Sequence, residues 1–297
     1  MLLDDFLALL VSGLTIGSVY AMVGVSLNIA YRPTNVFNMA QGELMMLGML
    51  LAWGLMANWS LPWFLGAAVV LVATALTGVV EERLAVAPIL KKSTHSHGWI
   101  ISTLAFSIVL LNGADRLLGS DPRPIPPMPG TSLDVIAAGP VTFSTVQLAT
   151  IAFAVASIGV VEWLYRSTRG GKAVVAVATD RDGARLCGIN PERLTVASFA
   201  AGGAYGAFAG LLAGPTVFAS TTIGIALLIK GFIALAIGGV GSNWGTLVGG
   251  LAIGVIEHLS SGYLSPGERE VLLLVVLLGV LVVRPHGLFG RGALREV

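Results

Sequence analysis

Residues able to do chemistry are sparse in this sequence, and the densest group is Asn38, Gln41 and Glu43 in the stretch Asn35-Val36-Phe37-Asn38-Met39-Ala40-Gln41-Gly42-Glu43. Two amides and a carboxylate at this spacing can exchange hydrogen bonds with a polar solute, and they run straight into the apolar stretch Leu44 to Met56. Polar and ionisable groups inside a bilayer are costly unless they face the interior of a bundle or a wet cavity. One reading therefore places Asn38, Gln41 and Glu43 on a translocation path or at its gate. The other places Asn38 and Gly42 where a helix starts at the membrane interface, with Glu43 favoured by the positive end of the helix dipole. Residue types alone leave both open.

The remaining reactive side chains are isolated. Lys230 lies in the apolar run 223–237 and is read as snorkelling to an interface along its methylene stem. Glu257-His258 reads as an interfacial pair, and Asn112 and Asp115 as the solvated end of a span. Gly170-Gly171-Lys172 is followed by Ala173 rather than Ser or Thr, and Arg166 stands where a phosphate-binding loop needs its first glycine, so no ATP site is expected. His95 and His97, with His258 and His286, lack metal-site spacing, the single Cys187 has no partner, and no G-x-S-x-G elbow occurs. The chain is expected to be no enzyme, with no catalytic residue, no metal and no cofactor of its own.

The elements that must position these residues follow from composition. Hydrophobic residues make up 55% of the 297 and charged ones 11%, against about 25% charged in soluble domains. Such a chain needs lipid as its solvent, and a net charge of +1 gives no basic field for nucleic acid. The expected fold class is all-α: a single polytopic transmembrane domain over 1–297. About 20 apolar residues cross a bilayer, which gives spans near 6–31, 38–57, 62–80, 99–118, 143–165, 195–214 and 270–284. The Gly-rich region 223–258 is too long for one span and short for two, so it reads as a broken hairpin and the count is eight or nine. Asp4 and Asp5 stand where a cleavable signal would carry Lys or Arg.

Positive charge sets the orientation. Loop 166–194 holds Arg166, Arg169, Lys172, Arg181, Arg185 and Arg193, and the tail holds Arg284, Arg291 and Arg295, so both are expected in the cytoplasm. Loop 81–98, with Arg83, Lys91 and Lys92, joins them, which puts the N-terminus outside. Loop 119–142 carries Pro122, Pro124, Pro126, Pro127 and Pro129 and reads as a stiff outer lid. Gly202, Gly206, Gly210 and Gly214 recur every four residues, as do Gly241, Gly245 and Gly249, which suits close helix packing rather than a ligand site.

Within loop 166–194, Asp180 to Ile189 reads as a short amphipathic helix ended at Gly188, with Leu186 and Ile189 as an apolar patch. Such a patch suits docking to another protein, or a connector lying on lipid headgroups. At this loop and at 38–48 the chain resembles a known family. Asn38-Met39-Ala40-Gln41-Gly42-Glu43-Leu44-Met45-Met46-Leu47-Gly48 is similar to the NxAxGELxMLG segment of the LivH-type permeases of branched-chain (hydrophobic) amino-acid ABC importers. Ala178, Asp180, Ala184, Leu186, Gly188, Ile189 and Arg193 match the family's cytoplasmic signature. Lys230-Gly231-Phe232 and Gly238-Gly239-Val240-Gly241-Ser242, continued by Gly245 and Gly249-Gly250, match its late glycine motif.

The resemblance implies a permease subunit in a bacterial inner membrane, working with a second, identical or homologous permease chain. It further implies two ATP-binding cassette subunits that carry ATP-Mg and a periplasmic substrate-binding protein. The coupling segment would be Asp180, Ala184, Arg185, Leu186, Gly188 and Ile189, inserted into a cleft on the ATPase. Gln41 stands where His is common and Cys187 is not a usual signature residue; relatives with similar motifs carry urea or short amides. A reading of a different class is a stand-alone secondary transporter or channel, against which few intramembrane carboxylates are present for ion coupling.

Overall fold

In the computed structural model, which describes residues 3–92, 98–138 and 141–290, the chain is a bundle of helices α1 to α12 with one small hairpin. The helices are α1 (Leu3–Tyr31), α2 (Gln41–Ala52), α3 (Trp63–Glu81), α4 (Ala87–Lys92), α5 (Gly98–Leu118), α6 (Thr145–Ser167), α7 (Arg169–Thr179), α8 (Arg181–Leu186), α9 (Pro191–Val217), α10 (Ile223–Gly238), α11 (Asn243–Ser260) and α12 (Pro266–Val283). Wider π-helical turns continue α2 over Trp53–Asn58 and α3 over Glu82–Val86. His95, His97, Arg291 and Arg295 lie outside the described residues.

The solvent of this bundle is legible in α3. Gly66, Ala67, Val70, Thr74, Gly78 and Glu81 form its buried stripe, while Leu65, Val69, Val72, Leu76 and Val80 are exposed on the other side. A soluble helix would put polar residues there, so the exposed face belongs against lipid. The same holds for Val271, Leu274, Val275, Leu278 and Val282 on α12.

Five stretches are each long and apolar enough to span a membrane: Asp5–Tyr31, Trp63–Ile89, Gly98–Leu118, Thr145–Ser167 and Pro191–Val217. The pair Ile223–Gly238 and Asn243–Ser260, bent by 119° at the break, raises this to six when taken as one broken span. The expected eight or nine is thus not reached by length and composition. The shortfall lies in that pair, in α2, which opens on Gln41 and Glu43, and in α12, whose first turn holds Glu268, Arg269 and Glu270.

The Gly-rich region is a bent helix pair, and its turn depends on glycine: Gly239 and Gly241 have φ of +102° and +87°, a region where side chains with a Cβ are strained. This places Gly241 in the turn, outside α11, and a Cβ there would meet nothing within 4 Å. Its role is conformational, unlike the packing expected from its four-residue spacing. Gly245 and Gly249 do face α10, where added Cβ atoms would lie 2.3 Å from the Gly238 carbonyl oxygen and 2.4 Å from that of Ala234.

The centre of the bundle is α1, buried almost continuously from Val19 to Ala30. It meets α11 backbone to backbone: a Cβ on Gly17 would lie 2.6 Å from the Gly250 carbonyl oxygen, and one on Gly254 2.4 Å from the Gly17 Cα. Along α9, a Cβ on Gly202 would come 3.2 Å from the Ser26 carbonyl oxygen, on Gly206 2.9 Å from Gln41 Nε2, on Gly210 2.8 Å from Met49 Cγ, and on Gly214 against the side chain of Ile125. Ile125 is the buried anchor of the Pro-rich loop, which is tied to α9 by paired backbone hydrogen bonds of 2.8 Å between Arg123 and Ala219. The departure from an all-helical chain is the antiparallel hairpin of β1 (Val135–Ala138) and β2 (Val141–Ser144), in a stretch read as loop; Ser144 then caps α6 in a reciprocal box with Gln147.

Candidate functional site

Asn38 and Gln41 come together with Glu81, while Glu43, on another side of α2, meets Ser107; sequence reasoning singled out neither Glu81 nor Ser107. Asn38 turns the chain into α2 by accepting the Ala40 N–H (2.8 Å), and its amide donates to Gln41 Oε1 (3.2 Å) and Glu81 Oε2 (2.9 Å). Gln41 Nε2 donates to the Gly202 carbonyl (2.8 Å), which only a glycine-lined stretch of α9 allows it to reach. Glu43 Oε1 accepts from Ser107 Oγ on α5 (3.2 Å), and its other oxygen lies against Gly224 at the start of α10. Asn38, Gln41 and Glu43 are each 1% exposed. Glu43 Oε2 and Glu81 Oε1 are buried without a hydrogen-bond partner among the described residues. These side chains are buried in two neighbouring places, Asn38, Gln41 and Glu81 between α2, α3 and α9, and Glu43 between α2, α5 and α10.

Lys230 and Glu257, read separately from the sequence as a snorkelling lysine and half of an interfacial pair, form a second charged group. Lys230 Nζ lies 2.5 Å from Glu257 Oε1 and 3.1 Å from the Tyr20 hydroxyl, which itself donates to Glu257 Oε2 at 2.8 Å. The triad joins α10, α11 and α1, and the two charged side chains are only 19% and 12% exposed. Pairing, rather than snorkelling, resolves the charge, and the 27-residue separation hid it because the partners meet only once α10 and α11 fold back. Asp115 likewise accepts from Thr221 Oγ1 (3.3 Å).

Loop 166–194 forms two helices, the second of which, α8, is the expected amphipathic segment. α7 turns Gly171, Val174 and Val177 inward, and α8 is a single turn capped by Asp180, whose Oδ1 accepts the N–H groups of Asp182 and Gly183 (3.0 Å each). Ala184 is buried beneath it; Arg185 on its outer side pairs with Asp182 (3.1 Å) and Glu192 (2.5 Å) at the start of α9. Gly188, at φ +78°, ends the turn as only glycine readily does, and the half-buried Ile189 returns its N–H to the Ala184 carbonyl (3.0 Å). Leu186 is left 92% exposed at the tip. An apolar side chain held out on a tied-down turn is what a docking knob requires.

At the same end of the bundle a cavity of about 850 Å³ opens among α1, α6, α7 and the α10–α11 turn. Beneath it runs a hydrogen-bond chain: Asn28 Nδ2 to Asn243 Oδ1 (2.6 Å), Asn243 Nδ2 to Glu162 Oε2 (3.0 Å), and Arg166 Nε to Glu162 Oε1 (2.7 Å). Arg32 stacks on the Tyr165 ring (4.1 Å) and donates to the Gly241 carbonyl. None of Asn38, Gln41 and Glu43 lines this cavity.

The family model described as branched-chain amino acid transport system / permease component matches residues 9–282. The chain is similar to the high-affinity branched-chain amino acid transport system permease protein LivH of Salmonella typhimurium, at 31% identity over 98% of both chains. It is similar to BraD of Pseudomonas aeruginosa at 29% identity, again over 98% of both. To the probable LivH of Methanocaldococcus jannaschii the identity is 26%, over 91% of this chain and 88% of that one.

Proposed function

The chain belongs to the branched-chain amino acid transport system permease family, and from that premise we propose that it is the membrane subunit of an ATP-driven importer of branched-chain amino acids. Two permease chains, this one with a copy of itself or a homologue, enclose the path. Two ATP-binding cassette subunits bind ATP-Mg on the cytoplasmic side, and a periplasmic binding protein delivers the substrate. The C-terminus and loop 166–194 face the cytoplasm of a bacterial inner membrane.

The observation that carries this reading is the exposed Leu186 on the capped turn of α8. Rigid attachment is needed because a knob on a loose loop would absorb the ATPase stroke instead of passing it on. Asp180 caps the turn, Ala184 seats it, and Arg185 ties it to α9. Closure of the ATPases draws these turns together, and α6 and α9, against which α7 and α8 are packed and tied, carry the motion into the bundle as rigid elements. Tighter ATP binding in one state than in the other provides the bias. Asn38, Gln41 and Glu43 act as the gate: in the closed form they are locked on α9, α3 and α5, and movement of α2 opens Glu43 to the path.

Leu186→Glu tests the assignment. Insertion, yield and basal ATPase activity are expected to stay unchanged while ATP-driven uptake of leucine falls at least tenfold. Unaltered uptake would show that α8 is not the coupling element.

A further inference from the structure

The cavity at the α7 end of the bundle has a composition that the transport reading does not use. Among the described residues, Arg32, Arg166 and Lys172 line it against one carboxylate, Glu162, three positive charges to one negative. Glu162 is already engaged by Arg166 and Asn243, whereas Lys172 makes no ion pair among the described residues. The rim is apolar and open: Val240, Trp244 and Phe289 are 38%, 44% and 54% exposed. Cations set behind exposed aromatic and aliphatic side chains at the end of a helix bundle match a headgroup with acyl chains better than a small soluble anion. At about 850 Å³ the space falls within the range of about 300–1,000 Å³ typical of ligand sites.

We propose that this cavity binds the headgroup of an anionic phospholipid of the cytoplasmic leaflet, with Lys172 and Arg32 facing the phosphate and Val240, Trp244 and Phe289 facing the acyl chains. The placement rests on the orientation proposed above. The consequence is regulatory: Lys172 belongs to α7 and Arg32 holds the α10–α11 turn through Gly241, so a bound lipid clamps the coupling segment to the hairpin.

The test uses the complex of this chain with its ATPase subunits, placed in discs of phosphatidylcholine with or without phosphatidylglycerol. After mild extraction, native mass spectrometry reads the retained lipid. Wild type is expected to hold phosphatidylglycerol in preference to phosphatidylcholine. Lys172→Gln, at an exposed position away from the packed core, is expected to hold it about fivefold more weakly, and Lys172→Glu more weakly still. Equal retention by all three would overturn the proposal. So would displacement of the lipid by inorganic phosphate alone, or by leucine, the latter assigning the cavity to the transport path. Leucine uptake is read separately: Lys172-dependent lipid retention without ATP-driven uptake would sink the transport reading and leave this one standing.

Discussion

Neutralising one member of the Lys230–Glu257 pair should cost far more than neutralising both. With Lys230→Met, Glu257 keeps the Tyr20 hydroxyl at 2.8 Å but loses its ion-pair partner. With Glu257→Gln, the ammonium group keeps only neutral partners. A buried pair broken on one side typically loses about 3–5 kcal/mol, since the surviving charge is uncompensated. The side chains are 19% and 12% exposed, so some charge relaxes toward solvent and about 2–3 kcal/mol is the better expectation for each single variant. Lys230→Met with Glu257→Gln removes both charges and leaves a Met that fills the stem's space, so its cost should fall to about 1 kcal/mol. The coupling energy is then about 3–5 kcal/mol in favour of the pair. Thermal unfolding of the purified protein in one detergent reads this. The singles are expected to melt about 4–10 °C below wild type and the double within a few degrees of it. If the double variant melts as low as the two single losses added together, the pair is not coupled and the triad is two independent interfacial charges.

Gly17→Leu should prevent assembly of the bundle, because even its Cβ would lie 2.6 Å from the Gly250 carbonyl oxygen of α11; normal yield of a monodisperse protein would refute the backbone contact. Gly206→Leu should lower yield too, as its side chain would displace the Gln41 amide, whereas Gly241→Ala should cost only about 1 kcal/mol of backbone strain. Glu43→Gln keeps the shape and the Ser107 contact; uptake reduced severalfold at normal stability is expected of a gate, and unchanged uptake would leave Glu43 a packing residue. Asn243→Ala leaves Asn28 and Glu162 without their shared partner, at about 1–3 kcal/mol for the buried groups, and substrate-stimulated ATPase activity should fall more than the basal rate.

The sequence made the class of fold legible because lipid-facing helices need apolar residues on every side, as α3 shows with both its buried and its exposed stripe. The short α8 helix was legible for a local reason: Asp180, Gly188 and Pro191 punctuate it within one short segment. What stayed hidden depends on contacts between distant segments. Glu81 joins Asn38 across 43 positions and Ser107 reaches Glu43 across 64, and no local pattern marks such partners. The Lys230–Glu257 pair failed for the same reason, and a snorkelling lysine was the natural reading of a single charge in an apolar run. Gly241 was misassigned because a period of four continued into α11 by coincidence, while its backbone needs glycine for a different purpose. The β1–β2 hairpin escaped because Val135–Ala138 and Val141–Ser144 are short and flanked by the proline run.

The two polar devices divide the bundle in a way that bears on how a stroke would travel. The triad of Tyr20, Lys230 and Glu257 ties both legs of the α10–α11 hairpin to α1, and the glycine contacts at Gly13, Gly17, Gly250 and Gly254 press α1 and α11 together without intervening side chains. Under the transport reading these three helices move as one block. α8 is tied to α9 through Arg185 and Glu192, and α7 folds back on the end of α6 after the break at Thr168, so under the transport reading the α8 turn moves with α6 and α9. At the α7 end the two blocks meet through groups that hydrogen-bond along a single chain, Asn28 to Asn243 to Glu162, with Arg32 stacked on Tyr165 while holding the Gly241 carbonyl. Packed cores resist continuous deformation and shift between discrete arrangements, whereas such polar contacts can exchange partners at modest net cost. Under the transport reading, relative motion of the blocks is accordingly set at Asn243 and Arg32, next to the coupling turn, and reaches Glu43 through Gly224 at the far end of α10.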